Sequence, residues 1–85
     1  MRVEVLYFAG LREAVGTARE RIELPDGVAT AAELRAHLRA RGGSWAEALA
    51  ETRTLRVAVD QAMAAGDAPL RDGAEVAFFP PVTGG

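Results

Sequence analysis

The order of its predicted elements is what most constrains the fold of this chain. Two strand-like segments come first: residues 3–9 are rich in β-branched and aromatic residues, and residues 17–24 alternate as a strand does. A helical segment follows, and shorter strand-like segments come after it, over 55–59, 62–63 and 75–79. Strands at both ends with a helix between them predict an α+β domain whose helix covers one face of a sheet. The 85 residues suffice for one such domain and leave no room for a second hydrophobic core.

Capping and turn residues set the expected bounds of these elements. Gly16 is expected to end a short helical turn between the first two strands, which we predict to pair antiparallel. Thr30 and Glu33 match a capping box, and Leu34 and Leu38 form the apolar stripe of the main helix.

The main helix is expected to end at Gly42-Gly43. Ser44 with Glu47 repeats the capping pattern, so Ser44 is interpreted as the cap of a second short helix. Trp45 is expected to be an anchor that packs beside this second helix. Turns are expected at Asp60-Gln61 and over 69–73.

Composition excludes several classes of function. The chain has no cysteine, so it has no disulfide, thiolate metal site or persulfide of its own. His37 is the only histidine and is interpreted as a helix-surface or boundary residue. The twelve carboxylates are dispersed and expected to be solvated, which predicts no bound metal. The net charge of −2, with scattered arginines and no stacking aromatics between them, argues against nucleic-acid binding.

Other absences concern location and linkage. No apolar run is long enough for a membrane span and no signal-peptide pattern opens the chain, so we expect a cytoplasmic protein that does not bind a membrane. All ten basic residues are arginine, so none of the chain's own side chains is a lysine that accepts an acyl group. Only the N-terminal amine remains as a primary amine.

The last six residues predict an extended arm behind a domain of residues 1–79. Pro80 and Pro81 favour extended geometry, while Gly84 and Gly85 lack a Cβ and suit a narrow channel. Fully extended, residues 80–85 would reach about 20 Å at roughly 3.3 Å per residue. The terminal carboxylate is ionised at neutral pH and is a poor electrophile, so a reaction there needs activation by another protein. The alternative is an ordinary frayed chain end.

A family resemblance is carried by Val5-Leu6-Tyr7-Phe8-Ala9 with Leu11-Arg12-Glu13, by the turn 59–61, and by residues 69–85. The most specific element is the ending Phe78-Phe79-Pro80-Pro81-Val82-Thr83-Gly84-Gly85. Together these segments resemble the small, sulfur-carrier subunit of molybdopterin synthase, the MoaD family. Asp60 departs from the asparagine expected in relatives. The resemblance implies the ubiquitin-like β-grasp fold, a mixed sheet with one main helix on one face and with the first and last strands parallel at its centre.

The resemblance also implies the chemistry of the arm. Gly85 would be adenylated by an E1-like adenylyltransferase that uses ATP, and a sulfur donor, a persulfide-bearing sulfurtransferase or desulfurase, would leave a thiocarboxylate on it. The chain would then give sulfur to a cyclic pyranopterin monophosphate inside a heterotetramer with the large subunit of molybdopterin synthase, which supplies the pocket. The chain is not an enzyme on its own by this reading, and no cofactor is bound.

The implied strand order makes the side-chain alternation informative. If Val5 and Tyr7 face the helix, Leu6 and Phe8 point outward, and the same alternation points Ala77 and Phe79 outward. We therefore expect a docking patch formed by Phe8, Met63 and Phe79. In the arm, Pro80 and Pro81 are expected to restrict the backbone, and Gly84 is expected to add no side-chain bulk. Val82 and Thr83 connect the two prolines to the two glycines.

Other functions remain open at this point. The same activated Gly85 suits a protein modifier that is transferred to a lysine of a target protein. A thiamine-pathway sulfur carrier also ends in Gly-Gly, although the approach through Phe78-Phe79-Pro80-Pro81 argues against it. A non-covalent binding module with an incidental glycine tail is the remaining alternative.

Overall fold

The computed structural model describes residues 1–81 and shows a five-stranded mixed sheet in the order β2-β1-β5-β3-β4. β1 and β5 are parallel neighbours, and every other neighbouring pair is antiparallel. The predicted α+β β-grasp arrangement is thereby confirmed, including the parallel first and last strands. The elements are, in chain order, β1 (Arg2–Tyr7), α1 (Gly10–Val15), β2 (Arg19–Glu23), α2 (Ala31–Arg39), α3 (Gly43–Ala48), β3 (Arg56–Val59), β4 (Ala62–Ala64) and β5 (Glu75–Phe79).

One face of the sheet is buried under the helices. Along β1 the residues Val3, Val5 and Tyr7 are buried, while those between them are partly exposed. Leu34 and Leu38, the predicted stripe of α2, are fully buried against this face. Because side chains of a strand alternate between faces, the opposite face of the sheet is left open.

Local capping fixes where the main helix begins. The Thr30 hydroxyl accepts a hydrogen bond of 3.2 Å from the Glu33 backbone N–H, and the Glu33 carboxylate accepts one of 3.0 Å from the Thr30 N–H. The predicted capping box is confirmed, since both otherwise unpaired donors are satisfied reciprocally. The tight turn between β3 and β4 is also as predicted: Asp60 and Gln61 both have positive φ, 50° and 68°, as the two central residues of a type I′ hairpin turn do.

Two predictions about the second half of the helical region are wrong. α2 ends at Arg39, with Ala40 as its C-cap, and does not continue to Gly42. α3 begins at Gly43 with Gly42 as its N-cap and no side-chain capping bond, so Ser44 lies inside the helix and does not cap it. The physical reason is that Gly42 and Gly43 adopt positive φ, 78° and 54°, which turns the chain into the helix one residue before Ser44.

Two further findings bear on the expected arm and on membranes. Val82, Thr83, Gly84 and Gly85 lie outside the described residues, so the arm is observed only at Pro80 and Pro81. Across residues 1–81, every helix is too short or too polar to cross a bilayer.

Candidate functional site

The arm leaves the domain from the middle of the sheet. β5 lies between β1 and β3, and Phe78, next to its end, is buried in the core. Pro80 follows the last residue of β5 directly and is half-buried. The start of the arm is therefore fixed by two strand ladders and by the core.

The register of β1 and β5 brings Phe8 level with Phe79. Tyr7 pairs with Phe78 in the parallel ladder, and the Phe8 N–H donates a hydrogen bond of 3.3 Å to the Phe78 carbonyl oxygen. In a parallel ladder this bond places Phe8 opposite the residue after Phe78, which is Phe79. This register agrees with the expected adjacency of the two phenylalanines on the open face, and Arg56 of β3 pairs with Phe79 from the other side.

The next row of the open face is also apolar and includes Met63. Leu6 pairs with Ala77, Ala77 with Ala58, and Ala58 with Met63, so four strands contribute one side chain each. Phe8 is 49% exposed and Met63 61%, while Phe79 is half-buried and Ala77, at 8%, is covered by its neighbours. The two rows form the open-face patch, which consists of Leu6, Phe8, Ala58, Met63, Ala77 and Phe79.

Charged side chains border the open-face patch. One row further from the arm, Glu4 pairs with Glu75 and with Arg21. The Arg19 guanidinium, beside Leu6, forms an ion pair with Glu4, and Arg21 lies 3.9 Å from the same carboxylate. An exposed apolar area with a charged border at the base of the arm is typical of a protein-docking surface.

A buried tyrosine joins a carboxylate and an arginine beneath this end of the sheet. The Tyr7 hydroxyl donates a hydrogen bond of 3.0 Å to Glu20 Oε2, and Arg41 donates two, of 3.0 and 2.9 Å, to the Glu20 carboxylate. Burial alone would raise the pKa of Glu20, but the hydrogen bonds from Arg41 and Tyr7 and the positive charge of Arg41 hold it below its usual range. Burial first, and then Glu20, raise the pKa of Tyr7, so its hydroxyl stays protonated as a donor.

Glu20 therefore corrects the expectation that the carboxylates are all solvated. Its partner Arg41 follows α2 and lies 21 residues away in sequence, so no local pattern revealed the pair. The alternation of β2 offered a signal, because Glu20 pairs with Val5 on the helix-covered face. A carboxylate on that face needs a partner.

Trp45 attaches α3 to the same network. The Arg41 guanidinium lies 4.4 Å from the centre of the Trp45 ring, and the Tyr7 and Trp45 rings meet edge to face with centroids 5.4 Å apart. Cation–π and edge-to-face contacts of this kind are favourable. The prediction that Trp45 anchors the second short helix is confirmed.

Arg35 holds the segment that follows α3. Its guanidinium donates hydrogen bonds to the carbonyl oxygens of Leu49, Ala50 and Arg53. Burial lowers the pKa of Arg35, although the group remains charged at any physiological pH. The segment thus fixed borders a groove of about 650 Å³ that runs between α1 and α3 and reaches Pro80.

The described residues offer little catalytic machinery. His37 lies half-buried on α2, as expected for a helix-surface residue. Among residues 1–81, no group of three His, Asp or Glu side chains is placed to hold a metal ion. What residues 1–81 do provide is a rigid base for the arm and the open-face patch beside it.

Comparison with known families gives one match that spans nearly the whole chain. The model of the ThiS family matches residues 5–85. Two curated relatives are each called molybdopterin synthase sulfur carrier subunit. The one from Escherichia coli (strain K12) is 47% identical over 83 residues, which cover 98% of this chain and 99% of the relative. The one from Haemophilus influenzae is 45% identical with the same coverage.

Two solved structures share the fold at lower identity. The crystal structure of the small archaeal modifier protein 1 from Haloferax volcanii is 27% identical with a TM-score of 0.75, and the match covers 95% of this chain and 98% of that one. A complex of subunits 1 and 2 of the molybdopterin-converting factor from Helicobacter pylori contains a chain that is 26% identical with a TM-score of 0.67, with both chains covered completely.

Proposed function

This chain belongs to the ThiS family, and on that premise we propose that it is the sulfur carrier of a molybdopterin synthase, with sulfur borne on Gly85. The observation that carries the proposal is its 47% identity, over 98% of its length, to a molybdopterin synthase sulfur carrier subunit. The absence of cysteine fits a carrier whose sulfur sits on the terminal acyl group, because the chain has no thiol of its own.

Activation is the first chemical step we propose. A carboxylate oxygen of Gly85 attacks the α-phosphorus of ATP on an E1-like adenylyltransferase, forming an acyl-adenylate and releasing pyrophosphate. The negative charge that made the carbonyl carbon a poor electrophile is thereby removed. The nucleotide belongs to the activating enzyme, and we propose no bound cofactor for this chain. Because the step consumes ATP, we place it in the cytoplasm.

Sulfur transfer follows from the activated carbonyl. The terminal sulfur of a persulfide on a sulfurtransferase or desulfurase attacks the Gly85 carbonyl carbon, and AMP leaves. A thiol then reduces the resulting acyl disulfide, so the donor is released as a disulfide and Gly85 keeps a thiocarboxylate. The slim end formed by Gly84 and Gly85 suits entry into an active-site channel, because neither residue adds side-chain bulk.

The acceptor reaction takes place in the complex with the large subunit. We propose that the open-face patch docks on that subunit while Pro80, Pro81, Val82 and Thr83 lead Gly85 into its pocket. There the thiocarboxylate sulfur attacks a carbon of a cyclic pyranopterin monophosphate, so that a C–S bond forms as a C–O bond of the precursor breaks. Water then hydrolyses the acyl–sulfur bond, which leaves sulfur on the pterin and returns Gly85 as a carboxylate, within a heterotetramer of two large and two small subunits. The Helicobacter pylori complex of subunits 1 and 2 supports a docking role for this fold.

Intact mass spectrometry tests the sulfur-carrier proposal. The protein is incubated with ATP, an E1-like activating enzyme and a sulfur donor, beside a variant that lacks Gly85. We expect a mass increase equal to replacement of one oxygen by sulfur in the native chain only. An unchanged mass, with an enzyme that activates a known carrier in parallel, would exclude the proposal and favour a non-covalent binding module.

A protein modifier is the second candidate, favoured by the likeness to the small archaeal modifier protein 1. The same acyl-adenylate would pass Gly85 to a lysine amine of a target protein. Conjugates in which residues 72–85, the tryptic fragment that follows Arg71, remain joined to a target lysine through Gly85 would support this function. A thiamine-pathway role is tested by asking whether the thiocarboxylate form supplies sulfur for thiazole synthesis.

A further inference from the structure

Met63 carries the most exposed side-chain sulfur of this chain. The chain has no cysteine and two methionines, and Met63 is 61% exposed while Met1 is 38% exposed. The residues beside Met63 in the sheet are small, since Ala62 and Ala64 flank it in β4 and Ala58 pairs with it in β3. β4 is the last strand of the sheet, so no other strand of the described part of the chain covers its outer edge. A dissolved oxidant therefore reaches the thioether without any movement of the fold.

This thioether belongs to the open-face patch and not to the core. Met63 and Phe8 are the two large apolar residues of the patch that are exposed. Met63 is absent from the cluster of buried residues and from the partly buried residues packed against it. Methionine is enriched at protein interfaces, where its flexible side chain adapts to a partner surface. A change of polarity at Met63 therefore acts on docking much more than on folding.

Oxidation by hydrogen peroxide makes such a change, because it converts an apolar thioether into a polar sulfoxide. A lone pair of Met63 Sδ attacks one peroxide oxygen, so that an S–O bond forms and the O–O bond breaks. The other oxygen takes a proton and leaves as water. The sulfur loses two electrons and the peroxide gains them. Two thiols reverse the step on a methionine sulfoxide reductase, since they are oxidised to a disulfide while the sulfoxide oxygen leaves as water.

We propose that Met63 is a reversible oxidation site at which a hydroperoxide blocks docking of the open-face patch. This inference rests on the proposed docking to the large subunit. The sulfoxide oxygen is a hydrogen-bond acceptor, and an apolar surface that complements the patch gives it no donor, so its burial is unfavourable. Oxidation takes place on the free carrier, because the bound large subunit covers Met63. Under peroxide the carrier stays folded but no longer delivers its sulfur to the synthase.

Isothermal titration with the large subunit measures the effect on docking. Wild type and Met63→Leu are titrated untreated and after hydrogen peroxide, which catalase removes before the large subunit is added. Met63→Leu keeps an apolar side chain of similar volume without sulfur, and any oxidation of Met1 is common to both proteins. Trypsin cuts after Arg56 and Arg71, so residues 57–71 report Met63 as their one methionine.

Oxidised wild type should bind about 5- to 100-fold more weakly than untreated wild type, because an unpaired polar group is then buried. Methionine sulfoxide reductases with dithiothreitol should restore the affinity. Met63→Leu should bind equally well before and after peroxide.

Protection by the large subunit gives a second measurement that needs no variant. The rate of sulfoxide formation at Met63 is followed in the free carrier and in the carrier saturated with the large subunit. We expect slower oxidation in the complex, and equal urea midpoints for the free chain before and after oxidation. Equal oxidation rates, or full affinity with Met63 present as the sulfoxide, would overturn the inference while leaving the proposed function intact. Failure of untreated wild type to bind would overturn the proposed docking and this inference together.

Discussion

The Tyr7 hydroxyl lies 3.0 Å from Glu20 Oε2, and this bond links the core of the sheet to an ion pair at its border. Glu20 is held from its other side by two hydrogen bonds from Arg41. Because Tyr7 is the partner of Phe78 in the central ladder, the network supports the strands that carry Phe8 and the arm. Its energetics therefore bear on how firmly the arm is positioned.

Stability at low pH should depend on Glu20. Burial opposes ionisation, yet the bonds from Arg41 and Tyr7 keep the pKa of Glu20 below its usual range. A carboxylate whose pKa is lower in the folded than in the unfolded chain stabilises the fold above the unfolded pKa, about 4.3 for glutamate. That stabilisation is lost as the pH falls through the lower, folded pKa.

The variant Glu20→Gln should therefore be less stable at neutral pH, by about 1–2 kcal/mol, and should lose less on acidification. Urea unfolding followed by Trp45 fluorescence, at neutral pH and at a series of acidic values, measures both effects. Glu23→Gln is the matched control, because the Glu23 side chain is 69% exposed and its nearest cations are 3.9 Å away. Equal acid dependence in Glu20→Gln and wild type would contradict the prediction.

Arg35→Ala should destabilise the protein more than the loss of a surface arginine does. The change removes the guanidinium donor from the carbonyl oxygens of Leu49, Ala50 and Arg53, of which the Ala50 oxygen still accepts a bond of 2.9 Å from the Arg53 N–H. We expect a loss of about 2 kcal/mol, because hydrogen bonds from a charged group are stronger than neutral ones. Arg39→Ala serves for comparison, since among residues 1–81 the one ion pair of Arg39 is with the exposed Glu51, and such pairs contribute roughly 0–1 kcal/mol. Urea midpoints that fall equally in both variants would refute this role.

Much of the fold can be predicted from the sequence because the patterns that determine it lie within a few residues of one another. The capping box at Thr30 and Glu33 lies within four residues, and it is confirmed. Alternation along β1 and β5 correctly separated Tyr7, inside, from Phe8, outside. The parallel pairing of the two strands, in contrast, came from the family resemblance, because strand pairing over such a separation leaves no local pattern.

The failures have equally physical causes. Ser44 with Glu47 matches a capping box in sequence, but the positive φ of Gly42 and Gly43 starts the helix earlier, and backbone conformation at glycine is weakly encoded by neighbours. Glu20 was expected to be solvated because its partners, Tyr7 and Arg41, lie 13 and 21 residues away. Long-range polar pairs of this kind become visible only once the fold brings them together.

Met63→Asp should weaken binding to the large synthase subunit without destabilising the chain. Met63 is 61% exposed, so its removal costs little in folding, whereas burying a carboxylate in an apolar interface is unfavourable. We expect binding about 10- to 100-fold weaker, the effect of about 1.4–2.7 kcal/mol. Isothermal titration with the large subunit measures the affinity, and urea unfolding measures the stability.

Gln61→Asp provides the matched change of charge for that experiment. It introduces the same carboxylate two residues away, in the turn that directly precedes β4. Gln61 has a positive φ of 68°, a conformation that aspartate adopts more readily than most residues. Affinity close to wild type is expected for this variant. If Gln61→Asp and Met63→Asp weaken binding equally, net charge and not the open-face patch governs docking.

Replacement of both Pro80 and Pro81 by glycine should weaken productive insertion of the arm while leaving the domain intact. Both residues follow β5, so no ladder hydrogen bond is lost. Each proline that becomes glycine adds conformational freedom that ordering must remove, at about 0.4–1 kcal/mol. The two substitutions together should therefore lower kcat/KM for thiocarboxylate formation about 4- to 30-fold, because each 1.4 kcal/mol or so corresponds to a tenfold change. The comparison is Pro25→Gly, an exposed turn residue after β2, which should leave kcat/KM unchanged. Unaltered kinetics in the double variant would mean that arm stiffness does not contribute to insertion.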